Sequence, residues 1–272
     1  MFIVIRLIFI FCLILSSLPM TGQSGFTTIG GANFLGYSRA GVNLSGIEAI
    51  YLNQAGLSEV KNFAFDVSAE KRFNLEELTN ISIAGAKTFA FGTVGVLLSN
   101  FGFTEYNEQK FGLAYARKLN RNISLGGQFD LLRYNVDKLG SKNLFSFELG
   151  MQLKLSKDFS LATHIFSPGN IEVSETTEIG TRFRLGLMYK PSEKVFLLAE
   201  LDKLIYRPLE YKVAVSYQAV KELQIRLGIN PSTEIYSFGI LFQLQKNYKV
   251  ASAIALNNNL GNSPAISLQY NH

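Results

Sequence analysis

Cysteine, histidine and tryptophan are scarce in this 272-residue sequence, which has one cysteine, two histidines and no tryptophan. Cys12 lies in an apolar N-terminal stretch that we expect to be removed on export. The mature chain would then have no thiol, which excludes disulfides, cysteine-ligated metals and thiol catalysis. His272 ends the sequence and His164 stands alone, so we expect no metal site, no cofactor and no Ser-His catalysis.

Long apolar runs are also absent beyond the N-terminus. No later run approaches the roughly 18 unbroken apolar residues of a membrane-spanning helix, which excludes a helical membrane protein. The mean hydropathy of +0.15 is nevertheless high for a soluble protein. The formal net charge is +5, but the lysines and arginines are scattered along the chain, so we expect no nucleic-acid partner.

From about residue 62 to the C-terminus, apolar residues alternate with polar or small ones. In the clearest run, from Phe145 to Leu155, every odd position is apolar and every even position is polar or glycine. A period of two indicates a strand with one apolar face and one polar face. Together with an export signal, this pattern predicts an all-β fold, a transmembrane antiparallel up-and-down β-barrel.

The alternation divides into about fourteen strands, an even number as bacterial single-chain barrels require. The predicted strands are 62–70, 79–88, 91–100, 109–118, 122–134, 143–155, 158–167, 181–190, 194–203, 209–219, 222–230, 234–245, 247–257 and 263–271. Short turns such as Asn120-Arg121 and Lys157-Asp158 alternate with longer links such as Pro168 to Gly180. Because outer-membrane barrels keep their short turns in the periplasm, both termini are predicted to be periplasmic.

Charged residues on the polar faces are predicted to form a network in the lumen. Matching faces across the hairpins pairs Arg184 with Glu200, Arg182 with Asp202, and Lys110 with Asp130. A one-residue slip would place charges in lipid, at about 2–4 kcal/mol for each midplane arginine. The predicted members are Lys110, Asp130, Glu148, Arg182, Arg184, Glu200 and Asp202.

Two segments precede the barrel of residues 59–272. In residues 1–22, Arg6 is followed by an apolar core from Leu7 to Leu15, shorter than the ~20 residues of a spanning helix, which predicts a cleaved signal peptide. Residues 23–58 are rich in glycine and alanine and lack long alternation. A segment without a core of its own needs a container, so we predict a plug in the periplasmic half of the lumen, the alternative being a flexible periplasmic tail.

The plug segment ends in Asn53, Gln54, Ala55, Gly56 and Leu57. This stretch resembles the Asn-Pro-Ala-Gly-Leu signature of the FadL-like barrels and of the PorV/PorQ family of Bacteroidetes. In that motif an asparagine caps a short helical turn that has proline at its first position. Gln54 stands in place of the proline here, so the sequence keeps the asparagine cap but lacks the rigid first position of the turn.

Three functions are compatible with this sequence, and none is enzymatic. The resemblance to PorV/PorQ implies an accessory or structural component of type IX secretion, with secretion-machinery proteins as partners. The resemblance to FadL-like barrels implies instead a gated channel for hydrophobic small molecules, and a structural or adhesion barrel is the third alternative. In each case outer-membrane lipid is a partner. The segment from Ile266 to Tyr270 resembles the signal that the barrel-assembly machinery reads.

Overall fold

The computed structural model describes residues 22–23, 30–138, 140–169, 171–174 and 177–272. The predicted signal peptide lies outside these residues, except for Gly22 at its end. None of the helices in the described residues is long and apolar enough to cross a membrane.

Strands dominate the described chain. In order they are β1 (Gly22–Gln23), β2 (Phe63–Lys71), β3 (Thr79–Phe89), β4 (Gly92–Gly102), β5 (Tyr106–Lys118), β6 (Ile123–Val136), β7 (Gly140–Lys154), β8 (Phe159–Phe166), β9 (Ile171–Ser174), β10 (Thr177–Ile179), β11 (Arg182–Ser192), β12 (Val195–Leu204), β13 (Glu210–Val220), β14 (Leu223–Asn230), β15 (Ile235–Gln243), β16 (Tyr248–Asn257) and β17 (Gly261–Asn271). The one α-helix of this part of the chain, α1, is Gly31–Leu35. Short 3₁₀ turns are Ile47–Tyr51, Gln54–Glu59, Arg72–Asn74, Glu76–Leu78 and Pro231–Thr233.

Fourteen strands, β2–β8 and β11–β17, form a closed antiparallel barrel in which β17 pairs with β2 and β8 pairs with β11. The predicted fold class is therefore confirmed, and each predicted strand end lies within three residues of the observed one. The link predicted after Pro168 contains two short strands, β9 and β10, which form a small separate sheet with β1. Strands of four and three residues are too short to show an alternation in sequence.

The two faces of the barrel wall differ as the alternation predicts. On β5, Phe111, Leu113 and Tyr115 are exposed on the outer surface, whereas Lys110, Gly112 and Ala114, which alternate with them, are buried. The outer surface is thus a band of large apolar side chains, which suits contact with lipid. The inner surface is small or polar.

The register between β11 and β12 differs from the predicted one by two residues. Arg184 lies opposite Asp202, and Glu200 lies opposite Gly186, so the predicted Arg184–Glu200 pair is wrong. β11 continues to Ser192 through an irregularity, which moves the turn two residues beyond the predicted Pro191-Ser192. Because a two-residue shift leaves each side chain on its own face, the apolar pattern cannot distinguish the two registers.

Two other predicted pairs are diagonal. Arg182 lies opposite Leu204 but still contacts Asp202, with 3.1 Å between Nε and Oδ1. Lys110 lies opposite Leu132, and its Nζ reaches Asp130 at 3.2 Å. Long side chains reach such diagonal neighbours across a sheet.

Residues 30–60, here called the inner segment, lie inside the barrel. Ile47, Ile50 and Leu57 are fully buried and pack against small inward residues of the wall, such as Ala84 and Ala114. The segment extends beyond the short-turn half predicted for it, because Arg39 contacts Glu70 near the loop end of β2. The small inward side chains of the wall therefore make the space that this segment fills.

Candidate functional site

Asn53 fastens the inner segment to the wall. It is the N-cap of the turn Gln54–Glu59, and its Oδ1 accepts a hydrogen bond from the backbone N of Ala55 at 3.3 Å. Its Nδ2 donates to the carbonyl of Val42 at 2.9 Å and lies 3.3 Å from the carbonyls of Met151 and Thr163. A single asparagine thus caps a turn and reaches two neighbouring wall strands, β7 and β8.

Gln54, which stands where the related motif has proline, also contacts the wall. Its Nε2 donates to Glu148 Oε2 at 2.9 Å and lies 3.3 Å from the carbonyl of Ile50. Gln54 is fully buried. The departure from the motif therefore replaces a rigid turn start with a hydrogen bond to a buried carboxylate, which sequence reasoning did not anticipate.

Two inward glycines leave room for this turn. A Cβ at Gly150 would lie 1.9 Å from Asn53 Oδ1. A Cβ at Gly126 would lie 2.3 Å from the backbone N of Ala55 and 2.4 Å from the carbonyl carbon of Gln54. The inner segment therefore packs so closely against β6 and β7 that these two positions have no room for a side chain.

We expect Gly126→Ala to push the inner segment off the wall, since the clashing atoms of Gln54 and Ala55 belong to the backbone and cannot rotate away. The expected loss of unfolding free energy is about 1–3 kcal/mol, as for other overpacked sites. Urea titration of the refolded barrel in lipid vesicles measures it. Gly85→Ala is the matched control, because its Cβ would meet only Phe65 at 3.9 Å. Equal losses in both variants would contradict the close approach.

The predicted lumen charges lie in one band across seven adjacent strands, β5–β8 and β11–β13. At one end of the band Lys110 forms ion pairs with Asp130 and Glu148. His164 then links the two halves, because its Nε2 lies 2.8 Å from Glu148 and its Nδ1 lies 3.1 Å from Arg184 Nη1. Both ring nitrogens are therefore occupied by neighbours within the band.

The other half of the band is centred on Asp202. Its carboxylate contacts Arg184 at 3.4 Å and Lys212 at 2.6 Å. Lys212 also reaches Glu200 at 3.2 Å. Sequence reasoning missed Lys212 and the linking role of His164, although both occupy inward positions of the alternation.

Glu200 connects this band to the inner segment. Its Oε2 accepts hydrogen bonds from the backbone N of Gly41 at 2.8 Å and of Val42 at 2.9 Å. Bonds from backbone donors to a carboxylate are charge-assisted and strong. The charge band is therefore a support for the inner segment at two places, Glu148 and Glu200.

A second polar cluster, on β2, was not predicted. Asp66 accepts a hydrogen bond from Tyr51 Oη at 2.6 Å and from Asn33 Nδ2 at 3.2 Å. Glu70 forms an ion pair with Arg39 and lies 3.7 Å from Arg72. The available signal was the alternation along β2, in which Asp66 lies inward between Phe65 and Val67, and Glu70 lies inward between Ala69 and Lys71. This cluster holds the opposite side of the inner segment.

The inner segment ends in an ion-pair clamp at the short-turn end of the barrel. Glu59 contacts Lys118 and Lys154, each at 2.8 Å. Partial burial acts to raise the pKa of Glu59, but the two lysine hydrogen bonds outweigh it, so the pKa lies below the ordinary value of a carboxyl. The clamp is therefore charged at neutral pH.

Two cavities flank the inner segment, and they share no lining residue. The short-turn cavity, of about 550 Å³, has a mixed lining that includes Gln152 and the basic residues Lys154, Lys190, Lys221 and Lys249. The loop-side cavity, of about 230 Å³, is lined by both apolar and charged residues. In the described part of the chain, no group of three His, Cys, Asp or Glu residues is arranged to hold a metal ion.

No protein-family model and no curated protein matches the sequence. Solved structures do match. The monoaromatic hydrocarbon channel CymD superposes with a TM-score of 0.68 at 10% identity, over 92% of this chain and 99% of that chain. The toluene transporter TbuX of Ralstonia pickettii superposes with a TM-score of 0.68 at 9% identity, over 91% of this chain and 100% of that chain.

A FadL homologue of Pseudomonas aeruginosa gives a TM-score of 0.60 at 10% identity, over 93% of this chain and 99% of that chain. At such identities the similarity establishes the fold alone. The chain therefore has the fold of the FadL-like barrels.

Proposed function

We propose that this chain is an outer-membrane channel for hydrophobic small molecules and that its inner segment is the gate. The short turns and both termini would face the periplasm after cleavage of the signal peptide. The observation that carries the proposal is the inner segment, which fills the bore of a FadL-like barrel between two separate cavities. The structural relatives CymD and TbuX are a hydrocarbon channel and a toluene transporter, which supports the same substrate class here.

The loop-side cavity has the chemistry of an entry site. Its apolar lining residues are Phe34, Leu35, Leu52, Phe73, Ile235 and Ala255. The lining also has five cations, Arg39, Arg72, Arg182, Arg184 and Lys212, and two acids, Asp202 and Glu210. An apolar molecule would lie against the apolar lining residues, and passage to the short-turn cavity would require the inner segment to move.

The secretion-accessory function remains the alternative. It rests on the stretch from Asn53 to Leu57, which also resembles the FadL-like signature, so this stretch does not separate the two functions. Two of the solved structures that match, CymD and TbuX, are a hydrocarbon channel and a toluene transporter, which favours the channel. A role in catalysis is not proposed, since Glu148 and Arg184 engage both nitrogens of His164.

Uptake of radiolabelled toluene tests the proposal in a Gram-negative host that lacks a hydrocarbon channel. We expect cells with the barrel to take up toluene faster than cells with an empty vector, and glucose uptake to be unchanged. Ala255→Leu should slow toluene uptake, because the larger side chain fills the loop-side cavity. Ser252→Leu, at an exposed position on the same strand, is the matched control and should not. Toluene uptake at the vector rate, or equal effects of both variants, would contradict the channel.

A further inference from the structure

The two rims of the barrel differ in charge. At the short-turn rim, eight cations are exposed in turns or at outward strand ends. Lys157 and Lys221 also line the short-turn cavity, and the other six are Lys61, Lys87, Arg117, Arg121, Lys194 and Lys246. The carboxylates exposed there in the described chain are Glu193 and Glu222, and Glu193 is already paired with Lys190 at 3.0 Å. The short-turn rim therefore carries a surplus of positive charge.

The loop rim carries no such surplus. Its exposed acids are Glu76, Glu77, Glu105, Asp137, Glu172 and Glu234. Its exposed cations within the described residues are Arg133, Lys138, Lys142 and Arg207. The basic character of the chain, with its net charge of +5, is thus concentrated at one end of the barrel.

Aromatic rings mark where the short-turn rim meets the membrane surface. Phe89 stacks on Phe91 with 5.2 Å between ring centroids, and Phe159 stacks on Tyr189 at 4.4 Å. Such aromatic girdles lie at the level of the lipid headgroups. Lys87 Nζ lies 5.5 Å from the centroid of the Phe89 ring. At least this rim cation is therefore at headgroup height, and the turn cations lie immediately beyond it.

We propose that the short-turn rim binds the anionic headgroups of the phospholipids that surround it. Lysine and arginine at a membrane surface are attracted to anionic lipid over a Debye length, and arginine forms paired hydrogen bonds with phosphate. The occupant is a lipid and not a protein, because the cations encircle the barrel outside its mouth beside the aromatic girdle. This inference rests on the membrane placement proposed above and on none of its transport claims.

Competition between two lipids tests the rim. The barrel is refolded in an equimolar mixture of phosphatidylglycerol and phosphatidylcholine, and native mass spectrometry counts the lipids that stay bound. A rim variant has glutamine at Lys61, Lys87, Arg117, Arg121, Lys194 and Lys246. The control has glutamine at the four loop-rim cations Arg133, Lys138, Lys142 and Arg207. All these residues are exposed, so both variants are expected to fold, which heat-modifiable gel mobility checks.

We expect the unaltered barrel and the loop-rim control to retain phosphatidylglycerol several-fold over phosphatidylcholine, and the rim variant to retain both lipids equally. Added salt should weaken the preference, since the contacts are electrostatic. An unaltered barrel without preference, or a rim variant that keeps it, would overturn the proposal. Because no transported ligand is used, failure here is distinguishable from failure of toluene uptake.

Discussion

Replacing Glu148 by leucine is expected to lower the free energy of unfolding by about 3–5 kcal/mol, because buried charges lose their partner. Glu148 is 2% exposed and contacts Lys110, His164 and Gln54. Lys110 is buried as well, and it would lose one of its two counter-charges among the described residues, keeping Asp130. The variant therefore weakens both the charge band and the hold on the inner segment.

Ser146→Ala is the matched control for Glu148. Ser146 is also buried and inward-facing on β7, and its hydroxyl has no hydrogen-bond partner among the described residues. Its removal should change stability by less than about 0.5 kcal/mol. Urea unfolding in lipid vesicles compares the two variants. A loss in Glu148→Leu no larger than in Ser146→Ala would show that the band does not stabilise the fold.

Locking the inner segment to the wall is expected to abolish the part of toluene uptake that depends on the barrel. Ser58 Oγ lies 2.9 Å from Ser124 Oγ on β6, so S58C/S124C brings two thiols within reach of a disulfide. The mature chain offers no competing thiol if Cys12 leaves with the signal peptide. Since passage requires the segment to move, the oxidised variant should take up toluene at the rate of cells without the barrel.

A disulfide between two wall strands is the control for this lock. Ser82 Oγ lies 3.2 Å from Ser99 Oγ, and the two residues are opposite each other on β3 and β4. S82C/S99C therefore introduces the same chemistry without joining the wall to the inner segment. Toluene uptake by cells with the S82C/S99C variant should therefore be the same before and after oxidation.

The strands of this barrel are predictable because successive residues face the apolar outer surface and the lumen in turn. Residues 145–155 show this alternation, and β7 follows it. The register is less predictable, since a shift of two residues leaves Arg184 and Glu200 on the same faces. The irregularity at the end of β11 determines which of the two registers forms, and the apolar pattern of the sequence does not reveal this irregularity.

The sequence predicts which charged residues face the lumen, but it does not predict which of them contact one another. Inward position identifies Glu148 and Asp202 as lumen charges, but it does not show that His164 joins their halves or that Gln54 reaches Glu148. Those contacts depend on the path of the inner segment. That path follows from long-range packing against inward glycines and alanines such as Gly126 and Ala84, which local sequence does not encode.

In the proposed channel the inner segment must move for a hydrophobic molecule to pass. Toluene uptake by one culture of S58C/S124C cells, first oxidised and then after addition of a reductant that acts in the periplasm, tests this movement. We expect uptake at the rate of cells without the barrel before the reductant and faster uptake after it, while S82C/S99C cells take up toluene at the same fast rate throughout. Equal uptake by the S58C/S124C cells before and after reduction, with the disulfide verified by mass spectrometry, would contradict the gate.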